Sequence, residues 1–279
     1  MRLRVVLAVL VALTVLAGIG IYLGVRALSD GLPIQLPIQQ CVVTANGTAT
    51  LDPEQMANAA TIAAVGIRRG VPDHAVTIAL ATALQESKLQ NVTGGDRDSL
   101  GLFQQRPSQD WGTPDQIMDP RYASMQFYKA LMKIRGWQDM SVAQAAQAVQ
   151  KSADGSLYGR WEDKARVLAT ALTGEANGAV GCTITDSPAQ HGTAAVSALV
   201  DGLARDWGTG HAAADGGTVS VTVSDSRSGW QYAHWLVAHA ADQGIKRVRY
   251  AGQVWNSRST TWSKATAPAT DQVVAEVFP

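Results

Sequence analysis

The sequence predicts a mainly α-helical domain followed by a small α+β domain, with an N-terminal transmembrane helix in front of both. Three observations support this order. An uncharged apolar run fills residues 5–25, helix start and stop signals recur over residues 51–175, and alternating strand patterns appear only within residues 191–279. A change of pattern of this kind along a chain is typical of two domains of different class.

The apolar run has the length and the flanking charges of a membrane anchor. A helix needs about 20 apolar residues to cross the hydrocarbon core of a bilayer. Arg2 and Arg4 predict a cytoplasmic N-terminus at residues 1–4 and a single-pass cell-membrane protein with its C-terminal bulk extracellular. A cleaved signal peptide is the alternative and would give a secreted form, but its apolar region is usually shorter, about 7–15 residues.

The remaining boundaries follow from composition. Residues 26–50 are rich in Pro, Gln, Thr and Gly, which predicts a tether. Residues 51–175 are nearly all helical in pattern, and residues 176–190 indicate a linker. Residues 191–279 predict a small α+β accessory domain.

The helices of the first domain have clear starts. Asp52 precedes a proline, and Gln55 stands three positions after it, as in a capping box. Asp119 before a second proline and Ser141 predict two further N-caps. In the second domain, helices are predicted at 193–205 and 229–243, and strands at 216–225, within 245–256 and at 271–278.

The two cysteines, Cys41 and Cys182, bracket the helical domain. Outside the cytoplasm such a pair predicts a disulfide, and two buried free thiols are the alternative. The closed loop would hold about 140 residues, for which the chain-entropy estimate gives about 5 kcal/mol as an upper figure.

Composition argues against several functions. The 23 basic and 23 acidic residues balance, so nothing indicates a nucleic-acid partner. The histidines show no helical metal-ligand spacing, so no metal and no cofactor are expected. A single apolar run cannot build a pore. The sequence does not identify a protein partner.

Glu86 is the candidate catalytic residue. It lies near the C-terminal end of a predicted helix and borders the apolar face of that helix. The helix dipole and partial burial both favour the neutral acid over the carboxylate at such a position. A carboxylic acid that stays protonated is what a general acid needs in order to protonate a glycosidic oxygen. A solvated glutamate at a helix end is the alternative.

A polar loop and a glycine-containing restart follow in “NVTGGDRDSLGLFQQRPS”. Gly101 lets the backbone approach a ligand closely. Gln104 and Gln105 offer amide groups of the kind that sugars bind. This stretch therefore predicts a cleft wall opposite Glu86.

The string “ALQESKL … DSLGLFQQRP” resembles the signature of lytic transglycosylases and goose-type lysozymes, which share the lysozyme-like fold. Glu86-Ser87 match the Glu-Ser pair, Ser99 matches the serine, and residues 101–104 match Gly-Leu-Met-Gln with Phe103 in place of Met. The resemblance covers about 51–175 and extends to membrane-anchored proteins of high-GC Gram-positive bacteria. It implies that Glu86 is the general acid/base and that peptidoglycan glycan strands are the partner. The predicted substrate-binding residues are Ser99, Gly101, Leu102, Phe103, Gln104, Gln105 and Gln150.

One family motif is missing. Family members carry Ala-Tyr-Asn-Ala-Gly, whose Tyr helps hold the catalytic Glu. The equivalent helix here contains “AQAAQAVQKSA”, so that Gln147 or Gln150 stands where Tyr or Asn is expected. A glutamine can hydrogen-bond a carboxylate, and the prediction of peptidoglycan cleavage is kept.

Three outcomes remain open for the chemistry. Hydrolysis needs a base that activates water, for which Asp96, Asp98 and Asp110 are candidates, although they fit turn and cap positions better. Lytic transglycosylation needs only Glu86 and is favoured over hydrolysis. A non-catalytic glycan-binding or scaffold protein at the cell surface is the third alternative.

Overall fold

The computed structural model describes residues 18–20, 22, 39–152, 154–185, 188–266 and 268–279. Residues 18–20 and 22 are helical and exposed. Most of the predicted transmembrane helix at 5–25 lies outside the described residues, as do residues 1–4 and 26–38. Within the described part of the chain, no helix is long and apolar enough to cross a membrane.

Nine α-helices, three 3-10 helices and ten strands make up the described part of the chain after residue 38. The α-helices are α1 (Pro53–Arg68), α2 (Asp73–Glu86), α3 (Pro114–Ile117), α4 (Pro120–Leu131), α5 (Val142–Gln150), α6 (Glu162–Leu172), α7 (Gly192–Trp207), α8 (Ser226–Ala238) and α9 (Ala240–Gln243). The 3-10 helices are Pro107–Gln109, Trp137–Asp139 and Gly155–Trp161. The strands are β1 (Gln40–Ala45), β2 (Gly47–Leu51), β3 (Val180–Thr183), β4 (Ala212–Asp215), β5 (Thr218–Thr222), β6 (Ile245–Tyr250), β7 (Gln253–Asn256), β8 (Arg258–Ser259), β9 (Ser263–Lys264) and β10 (Gln272–Val277).

The predicted helix starts are confirmed. The Asp52 side chain accepts a hydrogen bond from the Gln55 N–H, and the Gln55 side chain accepts one from the Asp52 N–H. Ser141 and Gln144 form a second capping box in the same way. Asp119 caps α4 by accepting from the backbone N–H two positions later. These caps satisfy amide groups that the first turn of a helix leaves unpaired.

A four-stranded antiparallel sheet has the order β2-β1-β3-β8. Its strands come from three separate parts of the sequence. Cys41 on β1 faces Cys182 on β3, and a disulfide joins them, which confirms the predicted pairing. The segments predicted as tether and linker thus contribute paired strands at 40–51 and 180–183. Their partners lie far away in sequence, so local composition could not reveal them.

The second sheet is antiparallel with the order β4-β5-β10-β6-β7-β9. The strands predicted at 216–225, within 245–256 and at 271–278 are confirmed as β5, the pair β6–β7, and β10. Helix α8 packs against β6 and β10 of this sheet, and also against α1 and β3. Residues 39–279 consequently form one compact mixed α+β unit.

His234 on α8 is a buried link between the two predicted domains. Its Nδ1 lies 2.8 Å from the Ala171 carbonyl oxygen, and its Nε2 accepts the Ala179 N–H at 2.9 Å. These partners assign a neutral ring with its hydrogen on Nδ1. Burial lowers the pKa of His234 to about 4, so the ring stays neutral at ordinary pH.

Asp206 on α7 is a second buried link. Its Oδ2 accepts from Thr61 Oγ1 on α1 at 3.0 Å and from Trp235 Nε1 on α8 at 2.8 Å. The guanidinium of Arg121, on α4, pairs with the other oxygen of the carboxylate. A buried carboxylate needs such partners, because an unpaired charge is very costly in the interior. Asp206 therefore fixes α7 and α8 against the helices of the first half.

Candidate active site

Glu86 is the last residue of α2, and its side chain is half-buried. Residues 75–84 of this helix are all buried, so the carboxyl group stands where a core helix reaches the surface. The chain then turns sharply, with Lys88 at a φ of 60°. Gln55 on α1 donates to the Lys88 carbonyl oxygen at 2.8 Å and holds this turn in place.

The hydroxyl of Tyr158 donates a hydrogen bond to Glu86 Oε1 at 2.6 Å. Tyr158 belongs to the 3-10 helix Gly155–Trp161, and only 1% of it is exposed. Burial, and next the hydrogen bond to Glu86, raise the pKa of Tyr158 far above its ordinary value. The phenol therefore remains a neutral donor beside the Glu86 carboxyl group.

Sequence reasoning missed Tyr158. The contact joins positions 72 apart, and no local pattern reports such a pair. The single local signal that could have pointed to Tyr158 is the turn marked by Asp154 and Gly155 just before it. The glutamines expected at this position point elsewhere: Gln147 donates to the Ser152 carbonyl oxygen and Gln150 to that of Phe103.

The loop predicted as the cleft wall is closed by a bridge between Leu100 and Gln105, with N–H···O distances of 2.9 and 3.0 Å. Gly101 has a φ of 71° and donates its N–H to the Val92 carbonyl oxygen. A Cβ at Gly101 would lie 2.8 Å from the carbonyl oxygen of Ile117. Both the positive φ and the close approach require glycine here.

Two side chains hold the carbonyl groups of this loop. Ser87, next to Glu86, donates to the Leu102 oxygen at 2.8 Å, and Gln150 on α5 donates to the Phe103 oxygen at 2.7 Å. The Phe103 ring stacks on Phe127 with a centroid distance of 4.7 Å. The Glu-Ser pair and the loop that follows are thus joined by a hydrogen bond.

The predicted substrate-binding side chains divide into two groups by burial. Those inside the protein are Ser99, Leu102, Phe103 and Gln105. Gln105 donates to the Ala123 carbonyl oxygen from this interior position. These four side chains are held inside the protein by apolar burial or by internal hydrogen bonds. They therefore fix the shape of the loop and are not presented to a ligand. Gln104 and Gln150 are half-buried and retain exposed surface.

The candidate bases for hydrolysis are engaged or exposed. Asp98 accepts from Arg106 Nε at 2.7 Å and from the Ser108 N–H at 2.8 Å. Hydrogen bonds from Ser108, and next from Arg106, hold the pKa of Asp98 well below its usual range. Asp96 is exposed, and Asp110 ends a 3-10 helix with a φ of 62°. All three fit the turn and cap positions that the sequence indicates.

A cluster of nitrogen donors surrounds Gln85, the residue before Glu86. Gln85 Oε1 accepts from Arg160 Nη2 at 2.8 Å and from Trp161 Nε1 at 2.9 Å. The Lys88 ammonium lies 4.7 Å from the centre of the Trp161 ring, a cation–π distance. Burial, and next the neighbouring Arg160, lower the pKa of Lys88, while Glu86 opposes this shift.

Two surface depressions adjoin residues that contact this region. One of about 650 Å³ lies between residues 46–50 and residues 160–167, and it includes Arg160 and Trp161. Another of about 540 Å³ includes Trp111 and Gln150. Glu86 does not line either of them. Hydrogen bonds of its two neighbours connect it to both: Gln85 is bound by Arg160 of the first depression, and Ser87 binds the same loop as Gln150 of the second.

No protein-family model matches the chain, and a comparison with curated proteins gives no match. Within the described residues, no group of three or more His, Cys, Asp or Glu side chains is arranged to hold a metal ion. The chemistry that this arrangement offers is proton transfer. One half-buried carboxyl group, oriented by a neutral phenol, can give a proton to a substrate oxygen and take it back.

Proposed function

We propose that this protein is a peptidoglycan lytic transglycosylase that cleaves the β-1,4 bond between N-acetylmuramic acid and N-acetylglucosamine. The observation that carries the proposal is the Glu86 carboxyl group, at the end of a buried helix, with Oε1 oriented by the Tyr158 hydroxyl. The order of Glu86-Ser87, Ser99 and residues 101–104 supports it, as does the bond from Ser87 to Leu102. A lysozyme-like fold for residues 51–175 is part of this proposal.

In the proposed reaction Glu86 acts first as an acid. Its Oε2, the oxygen opposite the Tyr158 bond, protonates the glycosidic oxygen as the bond to the muramic C1 breaks. The N-acetyl group of the substrate assists this departure. The 6-hydroxyl of the same muramic residue then attacks C1, and Glu86 accepts its proton. The product carries a 1,6-anhydro ring, and Glu86 returns to its protonated form.

Tyr158 acts on this cycle as a positioning residue. When Glu86 has given up its proton, the bond from the phenol becomes a charge-assisted hydrogen bond, which is shorter and stronger than a neutral one. Because burial keeps Tyr158 neutral, the bond persists through both protonation states of Glu86. It also fixes which carboxyl oxygen faces the substrate.

The surroundings of Asp98 favour transglycosylation over hydrolysis. Inverting hydrolysis requires a second carboxylate that is placed to activate water. Asp98 is occupied by Arg106 and Ser108, and Asp110 serves as a helix cap. A mechanism that uses one carboxyl group and an internal hydroxyl nucleophile needs no such base.

The disulfide supports a location outside the cytoplasm. Disulfides persist in oxidising compartments, and Cys41–Cys182 joins two strands of the folded unit. Together with the predicted anchor at 5–25, the disulfide supports the proposal of an enzyme on the outer face of the cell membrane that acts on peptidoglycan glycan strands.

Incubation of the protein with purified peptidoglycan, followed by mass spectrometry of the soluble products, tests the proposal. Anhydromuramic ends are the expected result. Hydrolysed reducing ends would instead make the protein a lysozyme. Binding to peptidoglycan without cleavage, by folded protein, would reject the proposed activity and favour the glycan-binding or scaffold alternative.

A further inference from the structure

A cationic groove runs beside the candidate active site. It is the depression of about 650 Å³ between residues 46–50 and residues 160–167, and we call it the basic groove. Its walls are the β1–β2 turn with strand β2 on one side, and the end of a 3-10 helix with the start of α6 on the other. A ligand in this groove would lie against both backbone and charged side chains.

The charge of the groove is positive. Arg160, Lys164 and Arg166 line it, and Asp163 is the single acidic residue in its lining. Arg166 pairs with Glu162 at 2.5 Å. Arg160 instead donates to the neutral Gln85 amide, and Lys164 donates to the neutral Thr50 carbonyl oxygen. Two of the three cations thus have only neutral hydrogen-bond partners in the described residues. The Asp52 carboxylate acts on Lys164 from beyond hydrogen-bond distance, and the remaining positive charge of the lining favours an anionic ligand.

The opposite wall is the edge strand of the first sheet. β2 pairs with β1 alone in the sheet order, and Thr48 and Thr50 on it are exposed. Edge strands present backbone N–H and C=O groups that extended peptides recognise. Lys164 already uses one such group, the Thr50 carbonyl oxygen, at 3.0 Å. Backbone polarity on one wall and positive charge on the other suit an acidic peptide better than a neutral sugar.

The groove is connected to Glu86 through two of its lining residues. Arg160 and Trp161 donate to Gln85, which directly precedes Glu86. Tyr158, which orients Glu86, lies two positions before Arg160 on the same 3-10 helix. A polymer that places a glycosidic bond at Glu86 could therefore place a branch in the groove.

We infer that the basic groove binds the peptide branch of peptidoglycan through the carboxylate groups of that peptide. This inference rests on the proposed function, because the peptide is attached to the lactyl group of the muramic residue whose bond Glu86 is proposed to break. Arg160 and Lys164 have no anionic hydrogen-bond partner, and Arg166 can exchange its exposed pairing with Glu162 for a carboxylate of the ligand. Arg160 and Trp161 also join the groove to Glu86 through Gln85, and β2 supplies the backbone edge.

The test compares glycan strands that carry peptides with strands from which an amidase has removed them. The ratio of the two kcat/KM values is measured for the wild type and for Lys164→Gln/Arg166→Gln. In the wild type, kcat/KM should be higher for peptide-bearing strands than for peptide-free strands. The ratio of the first value to the second should fall about tenfold in the variant, as expected for the loss of two charge contacts. Arg69→Gln/Lys246→Gln removes two exposed positive charges outside the groove lining and should keep the wild-type ratio.

A binding measurement separates failure of this inference from failure of the proposed activity. The peptides that the amidase releases are titrated into each protein, whose folding is checked by thermal unfolding. If strands are cleaved but the ratio is the same in all three proteins, the inference is wrong and the activity stands. If nothing is cleaved, the titration decides. Binding that weakens about tenfold only in Lys164→Gln/Arg166→Gln supports the groove, and absence of binding to the folded wild type overturns it.

Discussion

The Tyr158 hydroxyl and the Glu86 carboxyl group meet at 2.6 Å although 72 positions separate them in the sequence. The bond joins the end of helix α2 to a 3-10 helix that follows α5. In the proposed lytic transglycosylase, Tyr158 would make from another part of the chain the contact that the α5 sequence lacks a tyrosine to make.

Replacement of Tyr158 by Phe should lower kcat with little change in KM. A hydrogen bond to a charged group contributes about 1.5–3 kcal/mol, so the loss should be about tenfold to hundredfold. The matched control is Tyr128→Phe, which removes the buried bond to the Ile62 carbonyl oxygen and should cost stability without lowering kcat. An unchanged kcat in folded Tyr158→Phe would remove this residue from the mechanism.

Replacement of Gln150 by Leu should destabilise the protein. The Phe103 carbonyl oxygen would lose its donor, at a cost of about 1–3 kcal/mol in the free energy of unfolding. Gln104→Leu, at a half-buried position of the same loop, removes only a longer bond of 3.3 Å to the Gly101 carbonyl oxygen and should destabilise the protein less than Gln150→Leu. Urea unfolding of both variants measures this. A raised KM in Gln150→Leu at unchanged stability would instead assign this side chain to substrate binding, as the sequence predicts.

Acidification should destabilise the protein through His234. Its native pKa of about 4 lies below the ordinary value of 6.5, so between these values the unfolded state binds more protons than the native state. The free energy of unfolding should therefore fall by about 3 kcal/mol as the pH drops from above 6.5 to 4.

Urea unfolding at several pH values measures this slope. His234→Gln should remove the contribution, whereas His211→Gln, at an exposed position, should keep it. An identical pH slope in the wild type and His234→Gln would contradict the assignment of a neutral, buried ring.

Loss of the disulfide should lower the free energy of unfolding by about 3–5 kcal/mol, because its loop spans 141 positions. Cys41→Ser/Cys182→Ser and the reduced wild type should unfold at the same urea concentration. A reductant should have no effect on the double variant. Equal midpoints for the oxidised and reduced wild type would contradict this expectation.

The predictable parts of the fold were those with local causes. Asp52 with Gln55, and Ser141 with Gln144, act within one helical turn, so their spacing alone predicts the helix starts. Val219 and Val221 alternate on β5 and predict a half-buried strand in the same way. Cys41 and Cys182 were predictable because two cysteines allow a single pairing.

The unpredicted parts depend on partners that are distant in sequence. The hairpin at 40–51 gains its place in a sheet from β3, and Tyr158 gains its role from Glu86. The Gly-Leu-Phe-Gln stretch, which the sequence predicts as a cleft wall opposite Glu86, is bound by Ser87, and two of its side chains, Leu102 and Phe103, are buried. Whether Phe103 faces a cleft or stacks on Phe127 is decided by the packing of α4, which the local sequence does not show.

The most direct test is the product analysis of Glu86→Gln beside the wild type. Gln keeps the shape of the side chain but cannot transfer the proton, so thermal unfolding should be nearly unchanged. We expect anhydromuramic products from peptidoglycan with the wild type and none with Glu86→Gln. Equal amounts of these products from both proteins, or none from the folded wild type, would contradict the proposal.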